Sequence, residues 1–86
     1  MQEYNVKVFK THTEWRQNGK RHRVDGPALE WANGDKEWYQ NGQCHRVDGP
    51  ALEYADGDKS WYIKDKRINC QTQEQFERLI RLMPFW

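Results

Sequence analysis

Two histidines are each followed three residues later by an aspartate, His22 with Asp25 and His45 with Asp48, and Cys44 directly precedes the second histidine. Imidazole, carboxylate and thiolate are the groups that hold zinc or carry acid–base and nucleophilic chemistry. The chain argues against both uses. When its similar segments are aligned, Cys44 falls opposite Arg21 and Arg67, and His45 falls opposite Ile68, so the candidate ligands do not recur. Cys44 and His45 are neighbours on a predicted strand and therefore point to opposite faces. A small antiparallel sheet also offers little room for a substrate pocket. The expectation is a non-enzymatic protein with no catalytic residues, no metal and no cofactor.

The elements that carry these residues are repeats. HRVDGPALE occurs at positions 22–30 and again at 45–53. The copies extend further: residues 15–37 and 38–60 align without a gap at a period of 23, with 17 identical positions. Residues 61–69 form a partial third copy, and residues 1–14 form a degenerate lead-in strand. Modified terminal copies are the usual layout of a short array. Each repeat holds two turn signals, Asn18-Gly19 and Asn33-Gly34 in the first, Asn41-Gly42 and Asp56-Gly57 in the second. Such dipeptides favour two-residue type I′ turns, because both central residues need positive φ. The flanking Trp, Tyr, Val and Leu residues suit strands. The predicted fold is mainly β, an antiparallel meander of hairpins in a single domain.

Two-residue turns at all four sites specify a register. Leu29 then faces Trp38, Leu52 faces Trp61, Trp38 faces His45 and Trp15 faces His22. One face collects Trp15, His22, Leu29, Trp31, Trp38, His45, Leu52, Tyr54 and Trp61 as the core. The other carries Ala28, Ala51, Glu30, Glu53, Tyr39, Tyr62 and two cross-strand ion pairs, Glu14–Arg23 and Glu37–Arg46. In the third copy Ile68 stands opposite Trp61, where the repeats have histidine, so His22 and His45 are read as packing residues that isoleucine can replace. The repeat framework is thus Trp15, Trp38, Trp61, His22, His45, Arg23, Arg46, Asp25, Asp48, Gly26 and Gly49. Asp-Gly-Pro is read as a turn in which glycine takes positive φ and proline ends the ladder.

The last segment changes character. Thr72 is a predicted N-cap with Gln75 three residues on, and Phe76, Leu79, Ile80 and Met83 follow helical spacing. An amphipathic helix over 72–83, ended by Pro84, covers the sheet's last edge or its apolar face.

Composition narrows the function. The 86 residues carry a net charge of +1 with both signs interspersed, which argues against binding driven by a basic field and makes nucleic acid an unlikely partner. No apolar run is long enough for a membrane span, and no signal peptide is recognised. Two unmatched cysteines, Cys44 and Cys70, fit free thiols in a reducing cytoplasm, with a single disulfide as the alternative. Five Trp, four Tyr and three Phe residues must build most of the core, since aliphatics are few. Tyr39 and Tyr62, on the opposite face, and Phe85 and Trp86, at the end of the chain, are the candidate partner contacts. A tail folded back onto its own helix is the alternative for the last two. The free edges of a two-repeat sheet leave room for a homodimer.

The segments WRQNGKRHRVDGPA and WYQNGQCHRVDGPA resemble the repeats of many small proteins of tailed bacteriophages and, more distantly, MORN-type β-hairpin repeats. The resemblance spans residues 15 to about 68. The usual Tyr-x-Gly opening of MORN repeats is absent here, so their links to lipids and scaffolds transfer poorly. The resemblance implies a small cytoplasmic protein of an infected bacterial host that binds a host or phage protein. Inhibition of a bacterial defence or host regulatory protein is one form of that role. A glycan- or nucleic-acid-binding array using exposed aromatics is the alternative.

Overall fold

The computed structural model describes residues 3–83. The chain is mainly β, an antiparallel meander-like sheet closed by one C-terminal helix. The strands are β1 (Asn5–Val8), β2 (His12–Gln17), β3 (Lys20–Arg21), β4 (Leu29–Trp31), β5 (Lys36–Glu37), β6 (Tyr39–Gln40), β7 (Gln43–Cys44), β8 (Leu52–Glu53), β9 (Lys59–Ile63) and β10 (Lys66–Ile68), followed by α1 (Gln73–Arg81). The main sheet runs β1-β2-β4-β5-β8-β9-β10, with β3 attached to β2, while β6 and β7 form a separate hairpin. The first part of β2 pairs with β4 and its last two residues pair with β3. Strands β2 and β9 therefore each serve at least two neighbours, whereas the equivalent stretch of the second repeat is divided between β5 and β6. The molecule is a slab of 38 × 31 × 18 Å.

Two kinds of turn alternate along the chain. Asn18-Gly19, Asn41-Gly42 and Lys64-Asp65 each place both residues at positive φ, which is the two-residue hairpin the sequence predicts at all three. Trp15–His22 and Trp38–His45 are joined as expected, with each histidine N–H donating to the tryptophan carbonyl at 3.1 Å. Ile68 pairs with Trp61.

Asn33-Gly34 and Asp56-Gly57 behave differently. Only the glycines, Gly34 and Gly57, take positive φ, at 102° and 99°. Trp31 N–H donates to Asp35 O, and Tyr54 N–H to Asp58 O, so each loop holds three residues. Asn33 Oδ1 and Asp56 Oδ1 accept from the N–H two residues on, stabilising this longer turn. The register moves by one: Leu29 pairs with Glu37 rather than Trp38, and Leu52 with Ser60 rather than Trp61. A one-residue slip changes which side chains share a face across the pair, although Leu29 remains buried as expected. Ala28 and Ala51, predicted outside, are fully buried, while Tyr54, predicted in the core, is 42% exposed.

The predicted ion pairs are also corrected. β3 stops at Arg21, and Arg23 N–H bonds to Tyr39 O of the following repeat, which carries Arg23 away from Glu14. Glu14 instead accepts from Arg16 and Arg21, both at 3.0 Å. Burial alone would raise its pKa, but the two guanidiniums hold it below the ordinary value. Glu37, predicted to meet Arg46, accepts from Trp31 Nε1 and the Tyr39 hydroxyl at 2.7 Å each.

Helix α1 is capped by Thr72, whose hydroxyl accepts from Gln75 N–H. The Gln75 side chain returns to Gln71 N–H, one residue before the expected partner. Phe76 is fully buried against Trp61 and Ile63, with Ile68, Cys70 and Ile80 around them. The helix thus lies on the apolar face of the last hairpin.

Candidate binding surface

The repeated signature is spent on building the sheet. Arg23 lies over the Trp15 ring at 4.0 Å and Arg46 over Trp38 at 3.9 Å. Each guanidinium has three further acceptors: the aspartate two residues on, the proline carbonyl and the signature glutamate. For Arg46 these are Asp48 at 2.9 Å, Pro50 O at 3.0 Å and Glu53 at 2.9 Å. For Arg23 they are Asp25, Pro27 O and Glu30, at 3.2, 3.1 and 3.3 Å. Gly26 and Gly49 are not positive-φ residues, contrary to the turn role expected from sequence. A Cβ on Gly49 would meet Arg46 Cζ at 2.5 Å, and one on Gly26 would meet Arg23 Cζ at 2.8 Å. Glycine is there because the guanidinium lies against the backbone.

The histidines join one repeat to the next. His22 Nδ1 accepts from Asn41 N–H at 2.9 Å, and His45 Nδ1 accepts from Lys64 N–H at 3.1 Å. The donors lie in the turn of the following hairpin. Ile68 ends the last hairpin, with no later hairpin to hold, and packs beside the helix instead. That is why isoleucine suffices there, and packing alone does not describe what His22 and His45 do. The signal was visible: histidine stands in each copy that another hairpin follows.

Burial and nearby carboxylates push the Cys44 thiol up to about 12. Such a thiol is protonated at neutral pH and a poor nucleophile. Cys44 and Cys70 are both free. Among the described residues, no group of three or more histidine, cysteine, aspartate or glutamate side chains could hold a metal ion. No helix among them is long and apolar enough to cross a membrane.

The predicted contact residues fare unequally. Tyr39 is half-buried, its hydroxyl donates to Glu37 and its ring lies 5.6 Å from Arg21. Burial and the Glu37 carboxylate raise its pKa well above the ordinary value. Tyr62 is half-buried, and its carbonyl accepts from Arg46 N–H. Phe85 and Trp86 lie outside the described residues.

Two surfaces that sequence reasoning missed are prominent. The first is a groove of about 510 Å³ between the two Asp-Gly-Pro loops, lined by Val24, Asp25, Trp38, Gln40, His45 and Val47 among others. The second begins on β1, treated above as a degenerate lead-in. Val6, Val8 and Phe9 are 48%, 77% and 47% exposed. Phe9 stacks on His12 with centroids 4.6 Å apart, and His12 lies 4.7 Å from Trp31, making a run of three rings. The alternation in VKVF signalled a strand, but nothing in it signalled that the apolar side would stay uncovered.

Comparison with protein-family models, curated proteins and solved structures finds no match for this chain.

Proposed function

We propose that the chain is a non-enzymatic protein-binding module that docks its partner on β1 and the adjoining Phe9–His12–Trp31 run. One observation carries this reading. β1 is the terminal strand of the main sheet, pairing only with β2 among the described residues, and its large apolar side chains are exposed. An open edge offers backbone hydrogen bonds to an added strand, and aromatic neighbours supply the anchoring contacts. Exposed apolar groups clustered on such an edge mark an interaction site.

A sugar- or base-stacking array is less well supported, because the four indoles among the described residues are already engaged. Arginines cover Trp15 and Trp38, Trp31 donates to Glu37 and contacts His12, and Trp61 is buried. The resemblance of the repeats to small tailed-phage proteins makes a host or phage protein the partner class, with inhibition of a bacterial defence or host regulatory protein as the form of action to examine first.

The test is a paired capture from bacterial lysate with the wild-type chain and a Val8→Lys/Phe9→Asp variant whose circular dichroism matches wild type. One stoichiometric protein held by the wild type and lost by the variant supports the proposal. Equal capture by both removes β1 from the surface. Sedimentation of the purified chain reads self-association, and a dimer that the variant abolishes makes a second copy the occupant.

A further inference from the structure

Hairpin turns in this array are tied to the hairpin before them. In the second hairpin, Asn41 N–H donates to His22 Nδ1 and Gly42 N–H donates to Arg21 O, both at 2.9 Å. In the third, Lys64 N–H donates to His45 Nδ1 at 3.1 Å and Asp65 N–H donates to Cys44 O at 2.9 Å. The first hairpin has no repeat before it to supply such acceptors. Among the described residues, neither Asn18 N–H nor Gly19 N–H has a partner. The first two turns otherwise match: φ is 53° and 77° at Asn18 and Gly19, and 53° and 81° at Asn41 and Gly42. Their surroundings differ again at the glycine. A Cβ on Gly42 would touch the Lys20 side chain at 3.7 Å, whereas one on Gly19 would meet nothing within 4 Å. The remaining Asn-Gly step is held at three points. Gly34 N–H donates to Trp31 O at 3.0 Å, Asn33 Oδ1 accepts from Asp35 N–H at 3.0 Å, and Asn33 Nδ2 donates to Asp35 Oδ2 at 3.3 Å.

We propose that Asn18 is a site of spontaneous covalent modification, at which the side-chain amide is lost and aspartate and isoaspartate form ahead of any change at Asn33 or Asn41. The nucleophile is the backbone nitrogen that follows the asparagine. Hydroxide takes the Gly19 N–H proton, and the nitrogen forms a bond to Asn18 Cγ. The Cγ–Nδ2 bond breaks, and Nδ2 leaves as ammonia with a proton from water, which regenerates the hydroxide. Water then opens the cyclic imide. Cleavage between the nitrogen and Cγ gives aspartate; cleavage between the nitrogen and the backbone carbonyl carbon of residue 18 gives isoaspartate. Water is the only co-reactant. All three Asn-Gly steps are exposed, so solvent access does not separate them. Hydrogen bonding does. A nitrogen whose N–H is donated to a carbonyl must first give up that bond, as Gly34 and Gly42 must and Gly19 need not. The Asn33 carboxamide is also fixed at both its oxygen and its nitrogen, which keeps Cγ from swinging onto the backbone. The site has a consequence for its surroundings. Asn18 lines a groove of about 530 Å³ with Tyr4 and Asn5, so conversion places a new carboxylate beside the start of β1. The inference is independent of the docking role of β1.

The test ages the purified full chain in mildly alkaline buffer, once folded and once unfolded in urea. Peptide mapping that separates asparagine, aspartate and isoaspartate forms follows each site with time. In urea the three sites, each followed by glycine, should convert at similar rates. In the folded chain Asn18 should convert at least about fivefold faster than Asn33 or Asn41, the factor that one net backbone hydrogen bond is worth. Amide hydrogen exchange of the folded chain checks the cause, and Gly19 N–H should exchange faster than Gly42 N–H. Equal initial rates at Asn18 and Asn41 in the folded chain would overturn the assignment. So would an Asn18 that stays intact while the unfolded chain converts, or a Gly19 N–H as protected as that of Gly42.

Discussion

Gly49→Ala isolates the reason for glycine in the signature. Gly49 lacks positive φ, so alanine meets no left-handed strain there. It does place a methyl carbon 2.5 Å from Arg46 Cζ, 2.8 Å from Nη1 and 2.9 Å from Nη2. The guanidinium must leave, and with it go the stack on Trp38, the bond to Pro50 O and the pair with Glu53. The stack contributes about 1 kcal/mol at a partly desolvated site. The bond to the proline carbonyl contributes about 1 kcal/mol. The partly buried ion pair, its side chains 20% and 33% exposed, adds roughly 0.5 kcal/mol. Asp48, 82% exposed, adds little. Against this loss, alanine restricts the unfolded chain and returns about 0.5 kcal/mol. The net cost is about 2 kcal/mol, a fall in Tm of roughly 10 °C for a domain of this size. Urea unfolding of Gly49→Ala, Arg46→Ala and the double variant forms the deciding cycle. In the Arg46→Ala background the alanine should be neutral or slightly stabilising, because nothing remains for its methyl to strike. A cost of about 2 kcal/mol that persists without Arg46 refutes the close-approach explanation.

Two further outcomes follow from the histidines. His22→Ile should cost about 1–2 kcal/mol by unpairing Asn41 N–H, whereas isoleucine already occupies the equivalent position 68; unchanged urea stability would remove the linking role from His22. Burial, and secondarily Lys64, hold the His45 imidazole below its ordinary 6.5, so the folded protein takes up that proton later than the unfolded chain does. Stability tied to His45 is therefore whole above pH 6.5 and is lost as pH falls through the folded value, and denaturant midpoints at pH 7.5 and 5 should differ more in wild type than in His45→Asn.

Much of the fold is legible in the amino-acid sequence itself. The 23-residue period, the hairpins at Asn18-Gly19 and Asn41-Gly42, the pairing of Trp61 with Ile68, and the cap at Thr72 all rest on local chemistry. An Asn-Gly step at positive φ, or a hydroxyl three residues before a free N–H, needs only its neighbours. The candidate surfaces were not legible. Exposure of β1 and the concavity between the Asp-Gly-Pro loops depend on which segments lie elsewhere in space.

The same dipeptide meant two things. Asn41-Gly42 closes a two-residue turn, while Asn33-Gly34 belongs to a three-residue turn held by Asn33 Oδ1 and Asp35 N–H. That single extra residue shifted the register around it; Ala28 and Ala51 are buried and Tyr54 is exposed, while Leu29 stays buried as expected. Pairing with β2 and β8 on the outer sides of β4 and β5 accompanies the longer turn, and those partners are remote in sequence. The signature letters show the same division. That Arg, Asp, Gly, Pro and Glu recur together is a property of the sequence alone. That they recur because one guanidinium lies between an indole face and a bare glycine backbone is a tertiary fact, since the indole, the glycine and the glutamate meet only when three segments of the repeat fold onto one another.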